Sequence, residues 1–144
     1  MIDEITLWHE RARPEVTERS FDVQLGCHIE EFIEMMDSLG INWDEHEYLC
    51  SAMDILDEYS AKLKKGTTTA PSVNREALLD SLADQIVTAV GVGVCAKMDM
   101  KAAVQEVNAS NWSKFNYKGF PEFDENGKVK KGDKYREPNL KGMY

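Results

Sequence analysis

An all-α bundle of about five helices, followed by an irregular basic C-terminal segment, is the fold class the sequence predicts. Apolar residues recur at three- and four-residue spacing through most of the first 113 positions, which is the period of a helix with one buried face. Capping and stop residues divide that pattern into five stretches. No stretch alternates as a strand would.

The first helix covers about residues 2–12 and must stop before Pro14. The second runs from about Phe21 to Leu39, with Gly40 as its stop. Asn42 or Asp44 can cap a third helix reaching Lys65, which sets Leu49, Met53, Leu56 and Leu63 on one face and Glu47, Asp54 and Asp57 largely away from it. GTTTAPS, residues 66–72, is a polar loop containing proline. The fourth helix starts near Asn74 and reaches about Met98, and Asp99 can cap a fifth through about Asn111. From Phe115 onward the period is lost, and ENGK, residues 125–128, reads as a tight turn of a short hairpin.

With 144 residues and 42% hydrophobic content, the chain has the length of one domain and apolar material for one core. The acidic start, MIDEITLWHE, does not resemble a signal peptide, and no apolar run approaches the roughly 18 residues of a membrane span. A cytoplasmic protein without a membrane partner is therefore expected. Three cysteines, Cys27, Cys50 and Cys95, lack any CxxC or Cys/His ligand spacing and read as reduced, packed thiols.

A net charge of −9 argues against a nucleic-acid partner, since phosphate binding draws its affinity from Lys and Arg. The distribution is uneven. Residues 1–113 carry 9 basic and 21 acidic side chains, whereas residues 114–144 carry 8 basic and 5 acidic ones. An acidic body with a basic tail suits a phosphorylated ligand held by metal ions on one side and lysines on the other, or else an ordinary solvated surface.

Two carboxylate groups stand out. In HIEEFIEMM, Glu30, Glu31 and Glu34 lie opposite the stripe of Leu25, Ile29, Phe32, Ile33 and Met36, which should face the core. That is where a solvated face would put them. In the fourth helix Asp80 and Asp84 are one turn apart, and their line continues through Val87, Gly91, Val94 and Cys95. Carboxylates at the edge of a buried apolar line are costly unless a cation compensates them. Hard cations such as Mg²⁺ take oxygen ligands, and carboxylate pairs on facing helices of a bundle can supply them. Such spacing is common in proteins without metals, so alone it does not decide.

NASNWSKF, residues 108–115, and GKVKKGDKYREPNL, residues 127–140, add to these motifs. Together with HIEEFIE and LLDSLADQIVTAVG they make an ordered set that resembles the all-α nucleoside triphosphate pyrophosphohydrolases, the superfamily of MazG, the dimeric dUTPases and phosphoribosyl-ATP pyrophosphohydrolase. The closest likeness is to the MazG-like proteins of bacteria and bacteriophages, over about residues 20–140. Glu30, Glu31 and Glu34 match that superfamily's metal-binding EExxE motif in full. The second motif, ExxD, matches in part: Asp84 fits its aspartate, Ser81 stands where the glutamate is expected, and Asp80 lies one residue earlier.

The resemblance implies a Mg²⁺-dependent hydrolysis, with Mn²⁺ as a possible substitute, of a nucleoside triphosphate to the monophosphate and pyrophosphate, serving to cleanse the nucleotide pool. Glu31, Glu34, Asp80 and Asp84 would be metal ligands, and Glu30 or Glu31 the proton acceptor. Asn111, Lys114, Lys130, Lys131 and Tyr135 would contact phosphates. The bundle would be completed as a homodimer or homotetramer. Alternatives are a phosphoribosyl-ATP pyrophosphohydrolase-type enzyme and a non-catalytic helical oligomer. His28 and the three tryptophans, Trp8, Trp43 and Trp112, could orient a ligand or stack on a base, but packing is their commoner use.

Overall fold

The computed structural model describes residues 1–144. Five α-helices and one 3₁₀ turn follow in order: α1 Ile2–Ala12, α2 Glu18–Asp37, the 3₁₀ turn Trp43–Glu45, α3 Glu47–Lys65, α4 Arg75–Cys95 and α5 Met100–Trp112. The chain is all-helical and has no strand longer than an isolated bridge. It divides into two compact units, Glu15–Pro71 with Phe123–Lys128, and Met1–Pro14 with Ser72–Glu122 and Val129–Tyr144.

The first of these units is a pair of helices. α2 begins at Glu18, earlier than its apolar pattern suggests, because Thr17 and Ser20 form a capping box. α3 begins later than its cap signals suggest, since Asn42 precedes the short 3₁₀ turn instead, and it ends at Gly66 in the left-handed conformation. The helices meet at Gly26, where a Cβ would stand 2.9 Å from the Ser60 carbonyl oxygen and 2.8 Å from Lys64 Cγ. Only glycine permits that approach. Ser60, fully buried, donates its hydroxyl proton to the Gly26 carbonyl at 2.9 Å. Buried Asp22 accepts the Ala70 amide at 2.8 Å and so fixes the loop after α3.

This contact corrects the predicted orientation of α2. The residues turned toward α3 include Val23, Gly26 and Glu30, whereas Phe32, expected in the core, is 45% exposed. A helix wheel ranks faces by polarity and cannot recognise a glycine as the contact point. The segment Phe123–Lys128 completes the unit: Asp124 accepts the amides of Asn126 and Lys128, closing the ENGK turn. Arg19 donates to the Leu63, Lys64 and Asn126 carbonyls, tying that turn to the C-terminal end of α3, where positive charge is favoured.

In the other unit, Trp8 and Ala12 of α1 pack with Phe115 and Val129, and Trp112 covers them. The segment after α5 is thus anchored in a core although it has no regular structure. Arg136 pairs with Glu106 at 2.5 Å, and Ser110 donates to the Arg136 carbonyl at 2.8 Å. Asn74 caps α4 and Asp99 caps α5, as the sequence predicts.

α4 departs most from expectation. Of its 21 residues only Gly93 is buried. Leu79, Ile86, Val87 and Val94 are all more than half exposed. Within its unit the helix packs only on α5, through Gly93 against Met100. The line from Asp80 to Cys95 is therefore not buried in one chain, and Cys95 is exposed, not packed; no disulfide joins the three cysteines. By length and composition α4 could also cross a membrane, with an 18-residue window of mean hydropathy 1.4, contrary to the expectation that no run approaches that length. Asp80 and Asp84, both in its first half, oppose insertion, each by at most the roughly 2.5–3.5 kcal/mol that a charge costs at the bilayer centre.

Candidate functional site

A groove of about 470 Å³ runs between α2 and α3, lined by Glu30, Ile33, Glu34, Asp37, Trp43, Cys50, Met53, Asp54 and Asp57. Five carboxylates therefore share one depression with an indole and a thioether. Asp54 and Asp57, which the sequence pattern turns away from the apolar face of α3, border this groove. They were missed because their relation to α2 depends on the Gly26 crossing, though their i, i+3 spacing was visible.

Glu30 sits at one end with both oxygens engaged. Lys64 Nζ donates to Oε1 at 2.7 Å, and Lys128 Nζ donates to Oε2 at 2.9 Å. Desolvation alone would raise the pKa of this carboxyl, but hydrogen bonds and charge from the two ammonium groups together outweigh it and hold Glu30 below its ordinary value. In turn the hydrogen bond to Glu30 raises Lys128, against desolvation, with the negative field of Cys27, Glu30 and Glu31 adding to the rise. A carboxylate so held is a weak base with no oxygen free. Glu31 and Glu34 are exposed, and Glu34 borders the groove. His28 is exposed as well.

Asp80 and Asp84 lie exposed on α4. Nowhere do three or more His, Cys, Asp or Glu side chains of one chain gather in a way that could hold a metal ion. The donors have the oxygen chemistry a hard cation needs, with Glu31 and Glu34 in one compact unit and Asp80 and Asp84 in the other.

The predicted phosphate contacts belong to the unit containing α5. Asn111 and Lys114 are half-buried at its end, and Lys114 Nζ stands 5.9 Å from the Trp8 ring centre. Lys130 and Lys131 are exposed, and Lys131 lies 4.8 Å over the Tyr135 ring. Near them a second cavity, about 420 Å³, is lined by Arg11, Trp112, Ser113, Phe115, Asn116, Gly119 and Lys134. Of the tryptophans, Trp8 is core, Trp43 borders the acidic groove and Trp112 borders this second cavity. Sequence reasoning missed Lys64, Lys128, Arg11 and Lys134; of these, Lys128 and Lys134 lie inside the tail motif that drew attention to their neighbours.

No protein-family model matches the chain, and no curated protein and no solved structure matches it either.

Proposed function

We propose that the protein is a Mg²⁺-dependent nucleoside triphosphate pyrophosphohydrolase that works as a homo-oligomer. The ordered set of an EExxE helix, a DxxxD helix and the SNWSK and GKVKKGDKY segments carries this reading. Its support in physical terms is the exposure of Glu31, Glu34, Asp80 and Asp84, which leaves their oxygens open to an ion. Bound Mg²⁺ would neutralise the triphosphate and lower the pKa of the attacking water.

In this reading Glu31 accepts the proton of the water that attacks the α-phosphorus. The bond to the bridging oxygen of the β-phosphate breaks, and pyrophosphate leaves with its charge matched by Lys114, Lys130 and Lys131. Asn111 and Tyr135 orient phosphate oxygens by hydrogen bonding. Glu30, bound to two lysines, holds Lys64 and Lys128 in place instead of acting as the base. The ligand set is completed by assembly: an apolar helix exposed along nearly its whole length is covered by a second copy, as helices apolar all round are buried in stable proteins.

One observation favours a non-catalytic helical oligomer instead, namely that Ser81 stands where the second motif's glutamate is expected while the apolar sides of α4 are exposed. Incubation with each common NTP and dNTP and with phosphoribosyl-ATP, with and without Mg²⁺, separates the readings when the products are identified. Monophosphate and pyrophosphate appearing only with Mg²⁺ supports the proposal. No turnover of any substrate would reject it in favour of the oligomer.

A further inference from the structure

The cavity beside α5 has a different chemistry from the groove between α2 and α3. In a protein of net charge −9 its lining contains no carboxylate, but it does contain Arg11 and Lys134. The guanidinium of Arg11 is held in place: its Nε donates to the Gly119 carbonyl at 3.1 Å. Gly119 has φ +77°, and a Cβ there would stand 2.9 Å from Arg11 Nη2, so the turn is shaped to the arginine. Lys134 is exposed and forms no ion pair within the chain. The Asn116 side-chain oxygen accepts the amides of Lys118 and Phe120, which fixes its amide plane at the cavity edge.

The lining also contains two aromatic rings, Trp112 and Phe115. Trp112 is half-buried and meets buried Phe115 edge-on, with ring centres 5.3 Å apart. A cation pair beside an aromatic wall fits a ligand that is anionic at one end and planar at the other. An arginine with a fixed plane is the usual partner of a phosphate, and an indole face stacks on any base. The volume, about 420 Å³, is within the range of small-molecule sites.

We propose that this cavity is a metal-independent binding site for a nucleoside monophosphate, its phosphate between Arg11 and Lys134 and its base on Trp112. The site contains none of the residues assigned to metal. It goes beyond the proposed pyrophosphohydrolase activity and stands or falls separately from it.

The test titrates the full-length protein in EDTA with AMP, GMP, CMP, UMP, adenosine and inorganic phosphate, read by calorimetry and by the indole N–H resonances. Trp112→Phe assigns the Trp112 signal. At least one monophosphate should bind and shift that signal, adenosine and phosphate alone should bind at least tenfold more weakly, and Lys134→Gln should weaken the monophosphate at least tenfold. Arg11→Gln should act likewise, and Lys134→Gln, which removes only an unpaired surface lysine, covers the case in which it does not fold. Glu34→Gln should leave the affinity unchanged. Absence of binding by all four monophosphates overturns the proposal. So does affinity that survives Lys134→Gln, phosphate that binds as tightly as the nucleotide, or binding lost in Glu34→Gln, which would locate the ligand in the acidic groove. A protein inactive on every triphosphate would leave these expectations as they are.

Discussion

Lys128 and Glu30, 98 positions apart in sequence, are joined by a 2.9 Å ion pair, and the second oxygen of the same carboxylate is held by Lys64. Because Glu30 is held below its ordinary value of 4.5, the pair stabilises the fold fully above that pH, and the contribution is lost as pH falls through the lower folded pKa. Denaturant unfolding of the wild type and Glu30→Gln between pH 7 and pH 3 should show a stability gap that closes in that acidic window. Lys128→Met, at a half-exposed position, should cost only about 0.5 kcal/mol. Lys64→Met, at a more buried one, should cost about 1–2 kcal/mol.

The α2–α3 crossing predicts a larger effect. Gly26→Ala forces a methyl against the Ser60 carbonyl and should destabilise by about 1–3 kcal/mol. Ser60→Ala removes a buried hydrogen bond to a carbonyl that α2 itself already engages, at about 0.5–1.5 kcal/mol. Since both changes act at one contact, the double variant should lose less than the sum, which a double-mutant cycle would measure.

His9 offers a separate pH signature. Burial, aided by the charge of Arg13, lowers its pKa from 6.5, so the unfolded chain takes up a proton more readily than the folded one. Stability should therefore fall as pH drops below 6.5, a window that opens at higher pH than that of Glu30. His9→Gln should flatten the slope of unfolding free energy between pH 7 and 5.5.

For the proposed chemistry, Glu34→Gln and Asp84→Asn should each reduce turnover at least a hundredfold while the helical circular dichroism is retained. Lys114→Ala should mainly weaken triphosphate turnover. Turnover equal to wild type in the two carboxylate variants would remove the proposed metal site.

The exposed sides of α4 predict self-association. Leu79→Lys with Val87→Glu should shift the mass measured by light scattering from an assembly toward one chain. A wild type that is monomeric at micromolar concentration would refute the assembled form.

The helices were legible in the sequence where their signals are local. Asn74 and Asp99 sit beside the helices they cap, and Pro14 and Gly66 lie just past helix ends. The start of α2 was missed because Thr17 and Ser20 lie ahead of its apolar period, and the start of α3 because a 3₁₀ turn intervenes. Which side of α2 meets α3 depends on Gly26, and polarity patterns carry no signal for a close backbone contact. The carboxylates of the groove are partly visible in the sequence, since Glu30 and Glu34 stand out in the EExxE pattern whereas Asp54 and Asp57 read as part of the polar side of α3. The engagement of Glu30 was invisible because its partners come from two segments far away in sequence.

The burial of Trp8 and Ala12 against Phe115 and Val129 bears on how the chain matures. Helix α1 leaves the ribosome before Phe115 and Val129, which are made more than a hundred residues later. Arg19 likewise awaits the carbonyl of Asn126. Neither unit is complete until late in synthesis, although α2 and α3 can pair once residue 65 is made, and each completion joins distant segments, which slows folding. For this chain, truncation near residue 114 should therefore produce not a helical body without its tail but a polypeptide prone to aggregation, because its first helix would lose Phe115 and Val129 and keep only α5 to pack on.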